Sequence, residues 1–198
     1  MVHEALAARG KCFTAWKDFA VDLEIKTGVQ LKAAAEIAAA LRERGVGAVF
    51  VKGVALALTV YGRGGVRGFS DLDVLVPPRR LRDAHDALSA LGFALVDKEP
   101  NPVEVSYVRE RLPGYAVCVD LHCAFTGADG LQAPVRVPLP ELLARSRAVD
   151  GVPVPSYEDS LLLAAANLAR KSAEPFMLVV DFALLTDRRP AWDEVTSR

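Results

Sequence analysis

The sequence predicts an α/β fold, a mixed β-sheet flanked by helices, and three observations carry that prediction. Ala- and Leu-rich stretches with helical periodicity alternate with short apolar runs of strand length. Their order reads helix, strand, helix, strand, helix and then a hairpin, which does not fit an all-parallel sheet. Hydrophobic residues make up 52% of the 198, enough to bury the core of one domain.

The elements follow in chain order. Residues 13–44 read as a helix: "LKAAAEIAAALRERG" lines up Leu31, Ala34, Ala35, Ala38 and Leu41, and Gly45 ends it. "GAVFVKG" is a buried strand over 48–51, closed by Gly53. "VALALTVYG" is a helix of about two turns opening on Gly53. "GRGGVRG" is a loop. "DLDVLV" is a second strand, stopped by Pro77 and Pro78. "RRLRDAHDALSALG" is an amphipathic helix with Leu81, Ala84, Leu88 and Leu91 inward and Gly92 as its C-cap. "VEVSYVRE" and "AVCVDLHCAF" form a hairpin around "RLPGY", with Val103, Val105 and Tyr107 alternating against polar neighbours. Residues 131–155 are proline-rich and read as an irregular connector. Two helices follow, one capped by Ser156 with Asp159 in the capping-box position, the other opened by Pro175. The expected organisation is an N-terminal helical segment over 1–30, a core over 31–130, and a connector with C-terminal helices packed on the core over 131–198.

Composition excludes several classes. The chain carries 24 Lys plus Arg against 25 Asp plus Glu, which argues against a nucleic-acid partner. No apolar run approaches membrane-span length, and the N-terminus has no signal-peptide pattern. Cys12, Cys118 and Cys123 have neither an even count nor C-x-x-C spacing, so they read as reduced thiols of a cytoplasmic protein. Ser-His-Asp order, H-E-x-x-H and the Walker P-loop pattern are all absent.

The chemistry concentrates in "GFSDLDVLV". A strand turns alternate side chains to opposite faces, so Asp71 and Asp73 point one way while Leu72, Val74 and Val76 point into a core. Two carboxylates about 7 Å apart on one face repel each other, and a divalent cation such as Mg²⁺ relieves that repulsion. Asp120, an Asp inside the apolar strand "VCVDLH", is the candidate third carboxylate, and His122 shares its face two residues on. D-x-D alone is uninformative, since chance supplies about one such pair in this length. Its weight comes from placement, because strand, Lys52-Gly53 and helix precede it. That turn frees backbone N–H groups for a phosphate, with Gly53 permitting close approach and Lys52 adding charge.

The stretch "VKGVALALTVYGRGGVRGFSDLDVLV" resembles the signature of the nucleotidyltransferase superfamily of the DNA polymerase β type. It is most similar to the uncharacterised nucleotidyltransferase branch, with its LKG-x-AL, Tyr, Arg and D-x-D-LLV pattern. Lys52, Gly53, Ala55, Leu56, Tyr61, Arg67, Asp71, Asp73, Leu75 and Val76 carry the likeness, joined by Asp120 and His122 in "VDLHCAF" and Asp181 in "LVVDFALL". Val54 stands where the superfamily usually has Ser, and Cys123 where the branch has an aromatic residue.

The resemblance implies a polymerase β-like fold and transfer of a nucleoside monophosphate from an NTP to a small-molecule, peptide or protein acceptor. Asp71, Asp73 and Asp120 would be the catalytic carboxylates, holding two Mg²⁺ ions. Lys52, Gly53, Arg67 and Ser70 would contact the nucleotide or orient Asp71, and His122 would lie behind the metal or meet the acceptor. Two alternatives stand beside it: a toxin–antitoxin-type nucleotidyltransferase acting on tRNA or a partner protein, and a degenerate nucleotide-binding scaffold. His85 and the runs Arg79-Arg80-Arg82 and Arg188-Arg189 read as solvated surface.

Overall fold

A computed structural model describes residues 14–62, 67–96, 104–124, 138–170 and 176–197. Helix α1 (Thr14–Glu43) is followed by strand β1 (Val49–Val51) and helix α2 (Lys52–Leu56), which continues as a π-helical turn over Ala57–Tyr61. Strand β2 (Asp71–Leu75), helix α3 (Leu81–Ala90) and a short strand β3 (Ala94–Leu95) come next. Strands β4 (Glu104–Leu112) and β5 (Tyr115–His122) form the hairpin. Helix α4 (Leu139–Arg145), strands β6 (Arg147–Val149) and β7 (Val152–Val154), and helices α5 (Tyr157–Arg170), α6 (Phe176–Asp187) and α7 (Trp192–Thr196) complete the fold.

The five-stranded sheet runs β1-β2-β5-β4-β3, and β2 pairs with β5 in parallel while its other pairs are antiparallel. The mixed α/β architecture is therefore as the sequence predicts. One face of the sheet presents Phe50, Leu72, Val74, Val105, Val119 and Leu121 to a single core. Helix α1 covers it with Ala34, Ile37 and Leu41, and α3 with Ala84 and Leu88. Strict alternation explains why the strands can afford this: their intervening residues are free to be polar.

Two glycines end helices as predicted. Gly45 (φ 65°) lets Val46 N–H reach the Leu41 carbonyl at 2.9 Å, and Gly92 (φ 83°) lets Phe93 N–H reach Leu88 at 3.0 Å. Both are Schellman stops, which need the left-handed conformation that glycine adopts without cost. Ser156 Oγ accepts the Asp159 N–H at 3.1 Å and so caps α5.

Residues 138–154 differ from the irregular connector expected. Pro138 and Pro140 fall at the start of α4, where proline is tolerated. Asp150 (φ 49°) and Gly151 (φ 81°) make the tight turn of the β6–β7 hairpin. Arg145 then grips the buried Asp159 through Nε and Nη2, at 2.9 and 2.8 Å, tying α4 to α5.

Three residues read as surface also have partners in the fold. His85 Nδ1 meets the buried Tyr107 hydroxyl at 2.9 Å. Arg80 donates to the Arg44 carbonyl at 2.7 Å, stopping the end of α1. Arg188 reaches back to the Thr59 and Val60 carbonyls, where the π-helical turn leaves acceptors unmet. Pro175, Val103 and the run 63–66 lie outside the described residues. Among the described residues, no helix is long and apolar enough to cross a membrane.

Candidate active site

The site lies on the sheet face opposite the main core. Parallel pairing sets Asp73 directly beside Asp120 and Asp71 beside Cys118, while the antiparallel pairing of β4 sets Ser106 beside Asp120 and Glu104 beside His122. Register alone thus gathers Asp71, Asp73, Asp120, His122, Glu104 and Ser106 on one patch. Further along the same face, Leu75 closes a second small core with Val49, Val51, Leu142 and Leu163, so α4 and α5 roof that end.

Lys52 arrives from the neighbouring strand. It takes a left-handed conformation, φ 55°, which a residue with a Cβ adopts only at a cost of about 1–3 kcal/mol. That turn joins β1 to α2 with no intervening loop and places the Lys52 ammonium on Asp73 Oδ1. His122 Nε2 lies 2.9 Å from the same oxygen, and its Nδ1 lies 3.5 Å from Glu104 Oε2. Ser106 Oγ donates to Asp120 Oδ1 at 2.7 Å.

The two aspartates of β2 sit in opposite electrostatic environments. Burial, then the charges of Asp73 and Asp120, push the Asp71 carboxyl up from its ordinary value, against Lys52 and a hydrogen bond from Ser70. Burial also works against ionised Asp73. There the His122 hydrogen bond and the Lys52 charge outweigh it and hold the carboxyl below the usual range.

Arg67 does not stand free toward the patch. Its Nε and Nη2 grip Asp181 Oδ1 and Oδ2 at 3.1 and 2.7 Å, and Nη1 donates to the Gly68 carbonyl at 2.6 Å. Tyr61 donates its hydroxyl to Asp181 at 2.7 Å. This clamp fastens α6 to the segment leading into β2. Burial and the Asp181 carboxylate raise the Tyr61 phenol far above its ordinary range, so it remains a donor.

Gly53 is required by packing as well as by any ligand. A Cβ there would stand 2.6 Å from Phe69 Cβ. Lys52, Gly53, Arg67, Ser70, Asp71, Asp73 and Asp120 all line one open cleft of about 920 Å³. The sequence reading missed Lys26, Glu104 and Asn167, which line it too, and Ser106 beneath Asp120. Glu104 and Ser106 were findable: with Val105 and Tyr107 turned to the core, the alternation of β4 sends both to the Asp120 face.

The donors suit a divalent cation. Among the described residues, atoms from Asp73, Asp120 and His122 lie within 4.8 Å of one another. Asp71 adds its charge at the edge of this group. Of the basic side chains lining the cleft, Lys52 is paired with Asp73 and Arg67 with Asp181, so the charges of Asp71 and Asp120 remain for a bound metal to offset.

Comparison with known proteins identifies the family and the fold. The sequence profile of the uncharacterised nucleotidyltransferase family aligns with residues 6–198. The chain belongs to this family. It is accordingly a nucleotidyltransferase, a transferase with the mixed α/β fold expected from its sequence. Its fold is similar to the solution structure of the antibiotic-resistance factor ANT(2'')-Ia, with a TM-score of 0.53 and 16% identity over 86% of this chain and 88% of that one. It is also similar to the crystal structure of ANT(2'')-Ia in complex with adenylyl-2''-tobramycin, with a TM-score of 0.50 and 16% identity over 85% of this chain and 93% of that one. No curated protein matches the sequence.

Proposed function

We propose that this nucleotidyltransferase moves a nucleoside monophosphate from an Mg²⁺-bound NTP onto a hydroxyl of a small-molecule acceptor in the cleft. The observation that carries the reading is the cross-strand placement of Asp73 beside Asp120, with Asp71 on the same face and the Lys52-Gly53 turn alongside. A triphosphate would not enter so acidic a cleft unaided. Two unit charges of like sign about 4 Å apart repel by about 4 kcal/mol at an effective dielectric of about 20.

Asp71, Asp73 and Asp120 would hold Mg²⁺, which when bound neutralises the phosphates and polarises the reacting phosphoryl group. Lys52 contributes a point charge on the strand-to-helix turn, poised to exchange Asp73 for a phosphate oxygen. Ser70 steadies Asp71, and Ser106 steadies Asp120. Arg67, fixed by Asp181, keeps a second cationic group on the cleft wall. In the transfer, the acceptor oxygen bonds to the α-phosphorus as its bond to the bridging oxygen breaks, and pyrophosphate leaves. The acceptor proton passes to a base on the acidic face, a role we assign to Asp120. Most of the rate gain would come from positioning and charge neutralisation.

The acceptor reading is supported by the near-neutral chain and by the fold likeness to a protein solved in complex with adenylyl-2''-tobramycin. The test is pyrophosphate release from each of the four NTPs with Mg²⁺ against a panel of hydroxyl-bearing acceptors, aminoglycosides first. Mass spectrometry of the acceptor should show an added nucleoside monophosphate with wild type and none with Asp73→Asn. Turnover that survives both Asp73→Asn and Asp120→Asn would refute the mechanism.

A further inference from the structure

We infer that Gln30, on helix α1, is a positioning residue for Asp71: its side-chain amide fixes the peptide joining Ser70 to Asp71 and so aims the Asp71 carboxylate at the metal. The inference rests on the transferase reading above and extends it to a helix from which that reading takes no residue. The pattern of α1 is the first observation. Its inner stripe is apolar through Ala33, Ala34, Ile37, Ala38 and Leu41, none more than 2% exposed. Toward the N-terminus the same stripe turns polar at Thr27 and Gln30, yet these are 6% and 0% exposed. Here the helix passes the segment that leads into β2. Leu23 packs on Gly68, where a Cβ would stand 2.6 Å from Leu23 Cδ1, and both Leu23 and Lys26 line the cleft.

The second observation is the bond itself. Gln30 Nε2 donates to the Ser70 carbonyl at 3.1 Å, across 40 residues of chain. Strand β1 ends opposite Asp73, so at Asp71 the sheet supplies a paired neighbour on the β5 side alone. The amide from α1 is a further hold at that end of β2. The Ser70 carbonyl and the Asp71 nitrogen belong to one planar unit, so holding the oxygen sets the direction in which Asp71 leaves the backbone. A turn of that plane by about 15° swings an Asp71 carboxylate oxygen by about 1 Å, outside the tolerance of about 0.5 Å that a working site needs. Octahedral Mg²⁺, with bonds of about 2.1 Å, accepts little such error. Ser70 thus serves Asp71 from two ends, with its hydroxyl on the carboxylate and its carbonyl held by Gln30.

The third observation is what the amide leaves unpaired. Gln30 Oε1 and Thr27 Oγ1 are two of the three buried side-chain atoms without a hydrogen-bond partner among the described residues. An unpaired buried acceptor works against folding. Stability alone therefore does not explain a glutamine in this stripe, whereas the bond to the catalytic strand does.

The experiment measures Mn²⁺ binding to the full chain, by the electron spin resonance of the free ion, with and without a non-hydrolysable NTP analogue. Gln30→Met keeps the length of the side chain and removes the donor together with the unpaired oxygen. It should weaken Mn²⁺ by about 10–100-fold, while its thermal unfolding in EDTA stays within about 4 °C of wild type. In an Asp71→Asn background the same substitution should change Mn²⁺ affinity less than twofold, because Gln30 acts through Asp71. Thr27→Val, which removes a buried hydroxyl without reaching Ser70, should leave Mn²⁺ binding unchanged. Equal weakening in both backgrounds, weakening by Thr27→Val, or none by Gln30→Met overturns the inference and leaves the transferase reading intact. No Mn²⁺ bound by wild type, even with the nucleotide analogue, overturns both. Should Gln30→Met fail to fold, Gln30→Leu takes its place, and failure of both shows the amide to be structural and overturns the inference.

Discussion

Asp181 offers the sharpest test of how the C-terminal helices are joined to the active-site strand. Its side chain is 2% exposed and that of Arg67 10%, so neither charge has water to fall back on. Asp181→Ala removes the acceptor of two guanidinium hydrogen bonds and of the Tyr61 hydroxyl at once. Breaking a buried pair in this way costs about 3–5 kcal/mol, because the remaining charge stays buried and unpaired. For a chain of this size each kcal/mol moves Tm by about 2–4 °C, so the expected fall is about 6–20 °C. The double variant Asp181→Leu/Arg67→Met removes both charges and replaces them with apolar volume, and should recover most of that loss. Thermal or urea unfolding of wild type, Asp181→Leu, Arg67→Met and the double variant gives the coupling energy directly. A single-variant cost within about 1 kcal/mol of wild type, the level of an exposed pair, would refute the clamp.

Other outcomes follow from the same geometry. Gly53→Ala should destabilise the fold by about 1–3 kcal/mol through overpacking against Phe69, measurable by denaturant unfolding. Asp71 is raised in the fold, so its ionised form works against folding: its protonated state adds stability below the unfolded value near 3.8, and that contribution is lost as pH rises through the folded value. Asp71→Asn should accordingly raise Tm at pH 7 without metal, with the gain vanishing near pH 3. Asp73 has the opposite sign: it stabilises above the unfolded value and loses that contribution as pH falls through its depressed folded value, so Asp73→Asn should lower Tm at pH 7. Mg²⁺ at about 100 times its Kd should stabilise wild type by about 2.7 kcal/mol and Asp71→Asn by much less, read by thermal shift. Ser106→Ala should cost about 1 kcal/mol of stability by releasing Asp120.

Much of the fold was legible because local rules and the core agree. The alternation in "DLDVLV" specifies both the strand and its two faces, and Gly45 and Gly92 mark helix ends that need a left-handed residue. The three aspartates were findable for the same reason: a charge inside an apolar strand has to face away from the core. What escaped was of two kinds. The β6–β7 hairpin carried a readable sign, Asp150-Gly151 between apolar pairs, obscured by the prolines around it. The π-helical turn over Ala57–Tyr61 carried none; Arg188, just past the end of α6, meets its Thr59 and Val60 carbonyls across a long sequence separation. Arg67 was read toward phosphate because sequence shows its neighbour Asp71 but not its partner 114 residues away. Gly53 was read as room for a ligand, and only the fold shows Phe69 against it.

The central claim is that one sheet face holds an NTP through a divalent cation on Asp73 and Asp120. Calorimetry with a non-hydrolysable NTP analogue tests it most directly, using wild type, Asp73→Asn and Asp120→Asn, each with Mg²⁺ and again with EDTA. With Mg²⁺, each variant should bind about 100-fold more weakly than wild type, about 2.8 kcal/mol. In EDTA the order should reverse, since each variant removes a charge that repels phosphate. Equal affinity of all three proteins with Mg²⁺, or wild-type binding indifferent to EDTA, would contradict the account.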